Sequence, residues 1–306
     1  MDHASLQIEE QALTMALGPG AKTWLNRTGA LLGLAGVLFV GIRLQGYAGE
    51  IDFRRLGAGG YLAIAALAGL YGASNLLLAL GWQKLLHHLQ TPVSRSWAIH
   101  AYAISQFAKY VPGNIFQFAG RQAIGVAAGI GNGPLAKSTV YELAFLTIGG
   151  ALFFPLVLPL IAPSAPAWLG WTSFIVAMAS ALWLVTFAGP DFGMAAIFYV
   201  AFLALSGLVF ALVFDLAGGS GEFGLHPAIA GAYVLAWLLG MVTPGAPAGI
   251  GVREAVLLFL LGGFGSGAVI LLAVVIGRVV TILGDLLFFS GGLIAGRFCR
   301  IADDQR

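Results

Sequence analysis

The sequence predicts an all-α protein that crosses a membrane about six times and holds two broken helical segments around a central cavity. Of the 306 residues, 59% are hydrophobic and only 9% are charged, whereas soluble domains carry about 25% charged residues. Apolar runs without formal charge recur along the chain, and most are long enough to span the hydrocarbon layer as a helix. Two of these runs contain a Pro-Gly dipeptide with charged residues nearby.

The composition also excludes several classes of protein. A net charge of +2, with no basic run containing interleaved aromatic residues, argues against nucleic-acid binding. Cys299 is the only cysteine, so an internal disulfide and a cysteine-rich metal site are both excluded. We therefore expect no metal and no cofactor. The 44 glycines suit close helix–helix contact in lipid.

The apolar runs predict six crossings in a single transmembrane domain, residues 28–296. A surface-lying segment, residues 1–27, precedes this domain, and a cytoplasmic tail, residues 297–306, follows it. Prolines 159, 163 and 166 divide one long run into two crossings. The predicted crossings are Thr28–Ile42, Leu56–Gln83, two within Leu143–Pro190, Phe192–Phe214 and Ala268–Gly296.

The first broken segment, residues 97–133, contains the stretch QFAKYVPGNIFQFAGR. Pro112 and Gly113 interrupt a helix, because proline removes a backbone donor and glycine permits unusual dihedral angles. Neither side has the apolar length for a full crossing, so we expect a re-entrant hairpin. Each limb carries a polar stripe on one helical face. The stripes are Tyr102, Gln106 and Lys109 before the break, and Asn114, Gln117 and Arg121 after it.

Charges are costly in hydrocarbon and usually face a cavity, so the two stripes indicate an anion site inside the membrane. The alternative is a kinked helix whose cations extend to the membrane surface.

The second broken segment, residues 227–261, contains the stretch MVTPGAPAGIGVRE. Pro244 and Gly245 repeat the break, and in both segments an arginine follows the proline nine positions later, at Arg121 and Arg253. Broken helices at corresponding positions of two halves are typical of transporters built from repeats. We therefore expect an inverted repeat with halves at about 28–162 and 168–296.

Basic residues predict the orientation of the chain in the membrane. Lys22 and Arg27 place the amino terminus in the cytoplasm, and Lys84 and Arg95 place the second loop there. Both termini are then cytoplasmic, and the two hairpins enter the membrane from opposite faces. We expect this membrane to be the inner membrane.

Further charges lie within the apolar runs. Glu142 either caps the start of a crossing helix or belongs to the site. Arg278 and Asp285 share one helical face, and Glu254 adjoins Arg253. These charges either bind a substrate or form a network that holds the bundle together. The candidate substrate-binding residues are Lys109, Pro112, Gly113, Asn114, Gln117, Arg121, Glu142, Pro244, Gly245, Arg253, Glu254, Arg278 and Asp285.

The segments KYVPGNIFQFAGR and PGAPAGIGVRE resemble those of the flippase-like family named after the transmembrane region of lysylphosphatidylglycerol synthase. The chain is similar to the free-standing members, which lack the synthase domain. This resemblance implies two hairpin-containing halves around a central cavity, and binding or movement of an anionic lipid.

The function expected from these patterns is that of a lipid transporter or flippase rather than an enzyme. A phosphate headgroup would enter the cationic cavity while its tails stay in the bilayer. The expected partner is an anionic phospholipid or an isoprenoid-phosphate lipid, and assembly into homo-oligomers is compatible with this function. Two alternatives remain open: a membrane-embedded transferase acting on a lipid phosphate, and a structural or channel-like protein.

Overall fold

A computed structural model of the protein describes residues 57–110, 116–162, 164, 166–219, 223–243, 249 and 251–303. All regular structure in these ranges is helical, so the predicted all-α class is confirmed. The helices are α1 (Gly57–His88), α2 (Arg95–Gln106), α3 (Phe116–Ala127), α4 (Asn132–Ala151), α5 (Leu158–Ile161), α6 (Ala167–Thr186), α7 (Pro190–Leu216), α8 (His226–Val242), α9 (Val252–Leu261) and α10 (Gly267–Asp303). Three short 3₁₀ helices are η1 (Phe107–Tyr110), η2 (Phe154–Val157) and η3 (Phe223–Leu225).

Five helical stretches in the described part of the chain are long and apolar enough to cross a membrane. They correspond to five of the six predicted crossings, and α10 continues into the predicted tail as far as Asp303. The remaining predicted crossing, 28–42, and the predicted surface segment, 1–27, lie outside the described residues. The five stretches are Gly57–His88, Asn132–Ile161, Trp168–Thr186, Pro190–Leu216 and Gly267–Gly296.

The third crossing begins earlier than the sequence indicated. Helix α4 starts at Asn132, not near Leu143, and Pro134 lies in its first turn, where proline fits a helix without loss of a hydrogen bond. Glu142 therefore lies in the middle of α4, and of its two predicted alternatives the one in which it caps a helix start is wrong. A search of the sequence for charge-free runs places the start of this helix too late, because such a run stops at the charge of Glu142. In the structure that charge is buried beside a cation and does not interrupt the helix.

Both predicted breaks separate helices. In the first segment, η1 follows α2 and ends at Tyr110, and α3 begins at Phe116; in the second, α8 ends at Val242 and α9 begins at Val252. The four flanking helices have 10 to 17 residues, each less than a full crossing of about 20.

The second break is held by close backbone contact. Gly249 and Gly251 have φ angles of +71° and +88°, in the left-handed region that favours glycine. A Cβ atom on Gly240 would lie 2.9 Å from the Cα of Gly249, so the end of α8 touches the segment that precedes α9. In the first segment, a Cβ on Gly120 would lie 3.8 Å from the Cβ of Ser105, which is an ordinary contact.

Helix α1 lies at the centre of the bundle and packs mainly on α7 and α10. It crosses α10 at two glycines: a Cβ on Gly72 would lie 2.8 Å from the carbonyl oxygen of Gly284. Small residues at such a crossing allow the two backbones to meet, which is the usual way that helices associate in lipid. At the outside of the bundle, α6 leaves Trp168 and Trp183 64% and 66% exposed, as expected for a lipid-facing helix.

Candidate functional site: a charged cavity between the broken helices

A cavity lies between the two broken segments and the helices around them. Its volume of about 70 Å³ leaves room for several water molecules. Aromatic side chains from α1, α2, α7 and α8 form part of the wall: Tyr71, Tyr102, Phe202 and Trp237. The polar part of the wall consists of Gln106, Lys109, Gln117, Glu142, Arg253, Arg278, Thr281 and Asp285.

The first ion pair at the cavity joins α3 to α4. The two terminal nitrogens of Arg121 donate to the two carboxylate oxygens of Glu142, at 2.7 and 3.1 Å. Both residues are almost completely buried, with exposures of 2% and 1%. The Tyr102 hydroxyl also donates to Glu142, at 2.8 Å. This two-point geometry is the strong form of an arginine–carboxylate contact.

Aromatic rings enclose the Arg121 guanidinium. Its Cζ lies 4.1 Å from the centroid of the Tyr102 ring and 5.3 Å from that of Trp82. Rings at this distance stabilise a cation through their negative faces. Arg121 lies outside the cavity lining, and it meets the cavity through Glu142, which is part of the wall. Arg121 is therefore placed to hold Glu142 in position rather than to contact a ligand.

The second ion pair joins the first broken segment to α10. The Lys109 ammonium lies 2.7 Å from Oδ2 of Asp285, and the side-chain amide of Asn75 on α1 donates to Oδ1 at 3.1 Å. Asp285 is 2% exposed, whereas the Lys109 side chain keeps 15% of its surface exposed. The cation is thus the more accessible member of this pair.

The third ion pair joins α9 to α10. Nε of Arg278 donates to Oε1 of Glu254 at 2.7 Å, and the other carboxylate oxygen accepts the backbone N–H of Gly251 at 2.5 Å. Glu254 therefore satisfies a backbone donor at the start of α9, where a negative charge is also favourable for the helix dipole. The Arg278 side chain is 19% exposed and lines the cavity.

Arg253 repeats the surroundings of Arg121 in the second broken segment. Its Cζ lies 5.2 Å from the centroid of the Tyr233 ring, and Tyr233 belongs to α8, the helix before the break. In the first segment, Arg121 likewise follows the break and stacks on Tyr102 from the helix before it. In each segment, therefore, the arginine after the break contacts the ring of a tyrosine in the helix before the break.

The described candidate residues from the sequence gather around this one cavity. Arg278 and Asp285 both line it, as the shared helical face predicted. Glu254 and Arg121 lie behind the wall and bond to the lining residues Arg278 and Glu142. The other described candidates in the lining are Lys109, Gln117 and Arg253. Pro112, Gly113, Asn114, Pro244 and Gly245 lie outside the described residues.

One polar residue of the site was missed from the sequence: Asn75, which has no exposed surface and holds Asp285. Tyr102, named in the first polar stripe but not among the candidate substrate-binding residues, holds Glu142. A search for formal charge passes over an amide, although Ser74-Asn75 is a polar interruption in the apolar run of α1. Polar residues in spanning helices usually face the bundle interior, and this rule could have identified Asn75.

Two further side-chain contacts between helices lie at opposite ends of the bundle. Lys84 of α1 lies 2.8 Å from Asp191 at the start of α7, and His226 at the start of α8 contacts Asp215 near the end of α7. Because α7 spans the bundle, these pairs mark its two faces. They lie outside the cavity lining.

The described residues contain no group of three or more His, Cys, Asp or Glu side chains placed to hold a metal ion. What the cavity offers instead is hydrogen-bond donors and cations in the wall of a small polar space. That chemistry suits an oxyanion such as phosphate. A scan of the chain against protein-family models finds no matching family, and comparison with curated proteins finds no match.

Proposed function

We propose that the protein is a membrane transporter that binds the phosphate headgroup of an anionic lipid in this cavity and moves the lipid between leaflets. The observation that carries the proposal is a charged cavity enclosed by long apolar helices. Among the described residues, four cations and three carboxylates line it or bond to its lining, so these seven side chains carry one excess positive charge. They are Lys109, Arg121, Arg253 and Arg278, with Glu142, Glu254 and Asp285.

A purely structural role explains this arrangement less well. A charge network that only holds helices together is best fully packed, because a gap leaves buried charges with fewer partners. Here Lys109 and Arg278 keep part of their surface exposed and line a space with room for several waters. We assign headgroup contact to Lys109, Arg253 and Arg278, and a supporting role to Arg121.

The cavity is too small for a whole lipid, so the tails would remain in the bilayer and only the headgroup would enter. We propose that the two broken segments are re-entrant hairpins of an inverted repeat, entering from opposite faces and opening the cavity alternately. The repeated arginine–tyrosine contact, Arg121 on Tyr102 and Arg253 on Tyr233, supports this relation between the halves. In the same proposal both termini are cytoplasmic and the membrane is the inner membrane.

Lipid movement in liposomes tests the proposal. Purified protein in phosphatidylcholine liposomes is expected to move fluorescent phosphatidylglycerol between leaflets. Lys109→Gln combined with Arg278→Gln should slow that movement, because the headgroup loses compensation for its charge while crossing about 30 Å of hydrocarbon. Lys84→Gln combined with Arg95→Gln removes the same charge outside the cavity and should leave the rate near that of the wild type.

Two results would count against this function. Equal rates for the cavity variant and its control would remove the role assigned to the cations. A new lipid species, detected by mass spectrometry only when a soluble donor is supplied, would identify a transferase instead.

A further inference from the structure

Two of the carboxylates at the cavity, Glu142 and Asp285, are fixed parts of its wall. Asp285 lies 2.7 Å from the Lys109 ammonium and accepts the side-chain amide of Asn75 at 3.1 Å. Glu142 accepts both terminal nitrogens of Arg121. Displacing either carboxylate would leave buried donors and a buried cation without their partners, which is costly. Both carboxylates therefore stay beside any ligand that enters the cavity.

The charged side chains around the cavity are balanced by a single negative charge. Among the described residues, the four cations and three carboxylates named above leave one excess positive charge. The residues of the two breaks, 111–115 and 244–248, contain no Asp, Glu, Lys or Arg and add nothing to this count. A ligand with one negative charge makes the loaded cluster neutral, which is the least costly state for groups surrounded by hydrocarbon.

A second negative charge on the ligand would meet like charges. Glu142 and Asp285 both line the cavity, so a doubly charged ligand would lie beside two carboxylates. Its second charge would have no excess cation among the described residues to balance it. Like charges brought together in a poorly solvated site repel far more strongly than in water. The wall therefore accepts one negative charge and resists a second.

The phosphate groups of lipids fall into two classes by charge. A phosphodiester joins two alcohols and has one ionisable oxygen, so it carries one negative charge at neutral pH. A phosphomonoester has a second ionisable oxygen with a pKa of about 6, so it carries nearly two negative charges at pH 8. A diphosphate also carries more than one.

We propose, on the basis of the transport function above, that the cavity selects lipids whose phosphate is a diester and rejects lipid phosphomonoesters and diphosphates. This selection narrows the substrate from any anionic lipid phosphate to those in which the phosphate carries a second organic group. It admits phosphatidylglycerol and excludes phosphatidic acid and an isoprenoid monophosphate.

The wall also offers contacts for that second organic group. Gln106, Gln117 and Thr281 line the cavity with side chains that both donate and accept hydrogen bonds. An uncharged headgroup with hydroxyls, such as glycerol, can bond to these side chains without changing the balance of charge.

Two lipids that differ by one methyl group test the selection. Phosphatidic acid and phosphatidylmethanol, with the same acyl chains, are titrated into purified protein in a non-ionic detergent at pH 8. Phosphatidylmethanol is a diester with one charge, whereas phosphatidic acid carries nearly two. We expect phosphatidic acid to bind at least about tenfold more weakly, because its second charge meets the wall carboxylates. Equal or tighter binding of phosphatidic acid would overturn the selection.

Gln117→Lys tests whether the charge of the wall is the cause. Gln117 lines the cavity, so a lysine there adds one positive charge to the wall. The preference for phosphatidylmethanol should then fall by about tenfold, since the cluster can balance a second negative charge. Ser96→Lys adds the same charge at an exposed position of α2 outside the lining and should keep the wild-type preference. A folded Gln117→Lys protein with the wild-type preference would overturn the charge balance as the cause.

The comparison of the two lipids needs only the wild type, so it stands even if Gln117→Lys fails to fold. Dimethyl phosphate, a soluble diester with the same charge, is the comparison ligand, and binding as tight as that of phosphatidylmethanol would overturn the assignment to a lipid. Equal binding of the two lipids, with phosphatidylglycerol still moved in liposomes, would overturn the selection and leave the transport function standing. No binding of either lipid and no movement would overturn both.

Discussion

At the scale of single residues, burial separates the cations into two groups. Arg121 is almost fully buried and bonded twice to Glu142, whereas Lys109 and Arg278 reach the cavity with part of their surface exposed. Removing one member of a buried pair leaves the other charge uncompensated, which costs far more than removing both. We therefore expect loss of Arg121 to lower the stability of the protein, and loss of the lining cations to weaken lipid binding.

For Arg121, we expect Arg121→Met to lower the free energy of unfolding by about 3–5 kcal/mol, because Glu142 would remain buried without its cation. Arg121→Met combined with Glu142→Leu should recover most of this loss, since an apolar pair of similar volume needs no compensation. Thermal unfolding of the detergent-purified variants measures the difference. A double variant as unstable as the single one would show that the pair does not stabilise the bundle in this way.

Arg253 should behave differently, because it lines the cavity. We expect Arg253→Ala to weaken phosphatidylglycerol binding by about 1.5–3 kcal/mol, the cost of a lost charge-assisted hydrogen bond. Titration of the lipid into purified protein measures this change. Arg95→Ala, an exposed arginine at the start of α2, is the matched control and should bind as the wild type does.

At the scale of helices, the crossing of α1 and α10 fixes the position of Asp285. Gly72 lies one turn before Asn75, and Gly284 directly precedes Asp285. The contact between these glycines therefore sets the 3.1 Å distance between the amide and the carboxylate. A wider crossing would separate Asn75 from Asp285.

We expect Gly72→Ala to destabilise the protein by about 1–3 kcal/mol, because the new methyl group meets the backbone of α10 and the helices must separate. Gly69→Ala is the control: its Cβ meets nothing within 4 Å, so the better helix propensity of alanine should leave stability unchanged or raise it by about 0.5–1 kcal/mol. Unfolding midpoints in detergent compare the two. Equal midpoints for both variants would contradict a tight crossing.

At the scale of the whole molecule, an ion pair at one end of α7 and a histidine–aspartate contact at the other show which loops share a face. Lys84 with Asp191 joins the end of α1 to the start of α7, and Asp215 with His226 joins the end of α7 to the start of α8. The loops near Lys84 and Asp191 therefore lie together, opposite the loop near His226. The distribution of basic residues predicts that the first face is cytoplasmic.

Cysteine labelling in intact cells tests this topology on a Cys299→Ser background. Ser96→Cys and Ala188→Cys should be shielded from a membrane-impermeant reagent added outside, whereas Ser164→Cys and Gly224→Cys should react. If all four positions reacted with the external reagent, or if none did, this arrangement would be contradicted.

The sequence predicted most of the helical order because apolar length and Pro-Gly breaks are local signals. It predicted the site from the rarity of charge in hydrocarbon, which identified Lys109, Arg278 and Asp285. It did not predict which cation pairs with which carboxylate, because helical periodicity gives the face of a residue and not the neighbour that face meets. The start of α4 was missed for the same reason, since the partner that neutralises Glu142 comes from another helix.

The contact of Gly240 with Gly249 has a steric consequence. A Cβ atom on either residue would lie 2.9 Å from the Cα of the other, so any larger residue at these positions must separate the end of α8 from the residues before α9. The contact of Gly120 with Ser105 is an ordinary one and sets no such limit. The two segments are therefore alike in sequence and unequal in how closely their limbs approach.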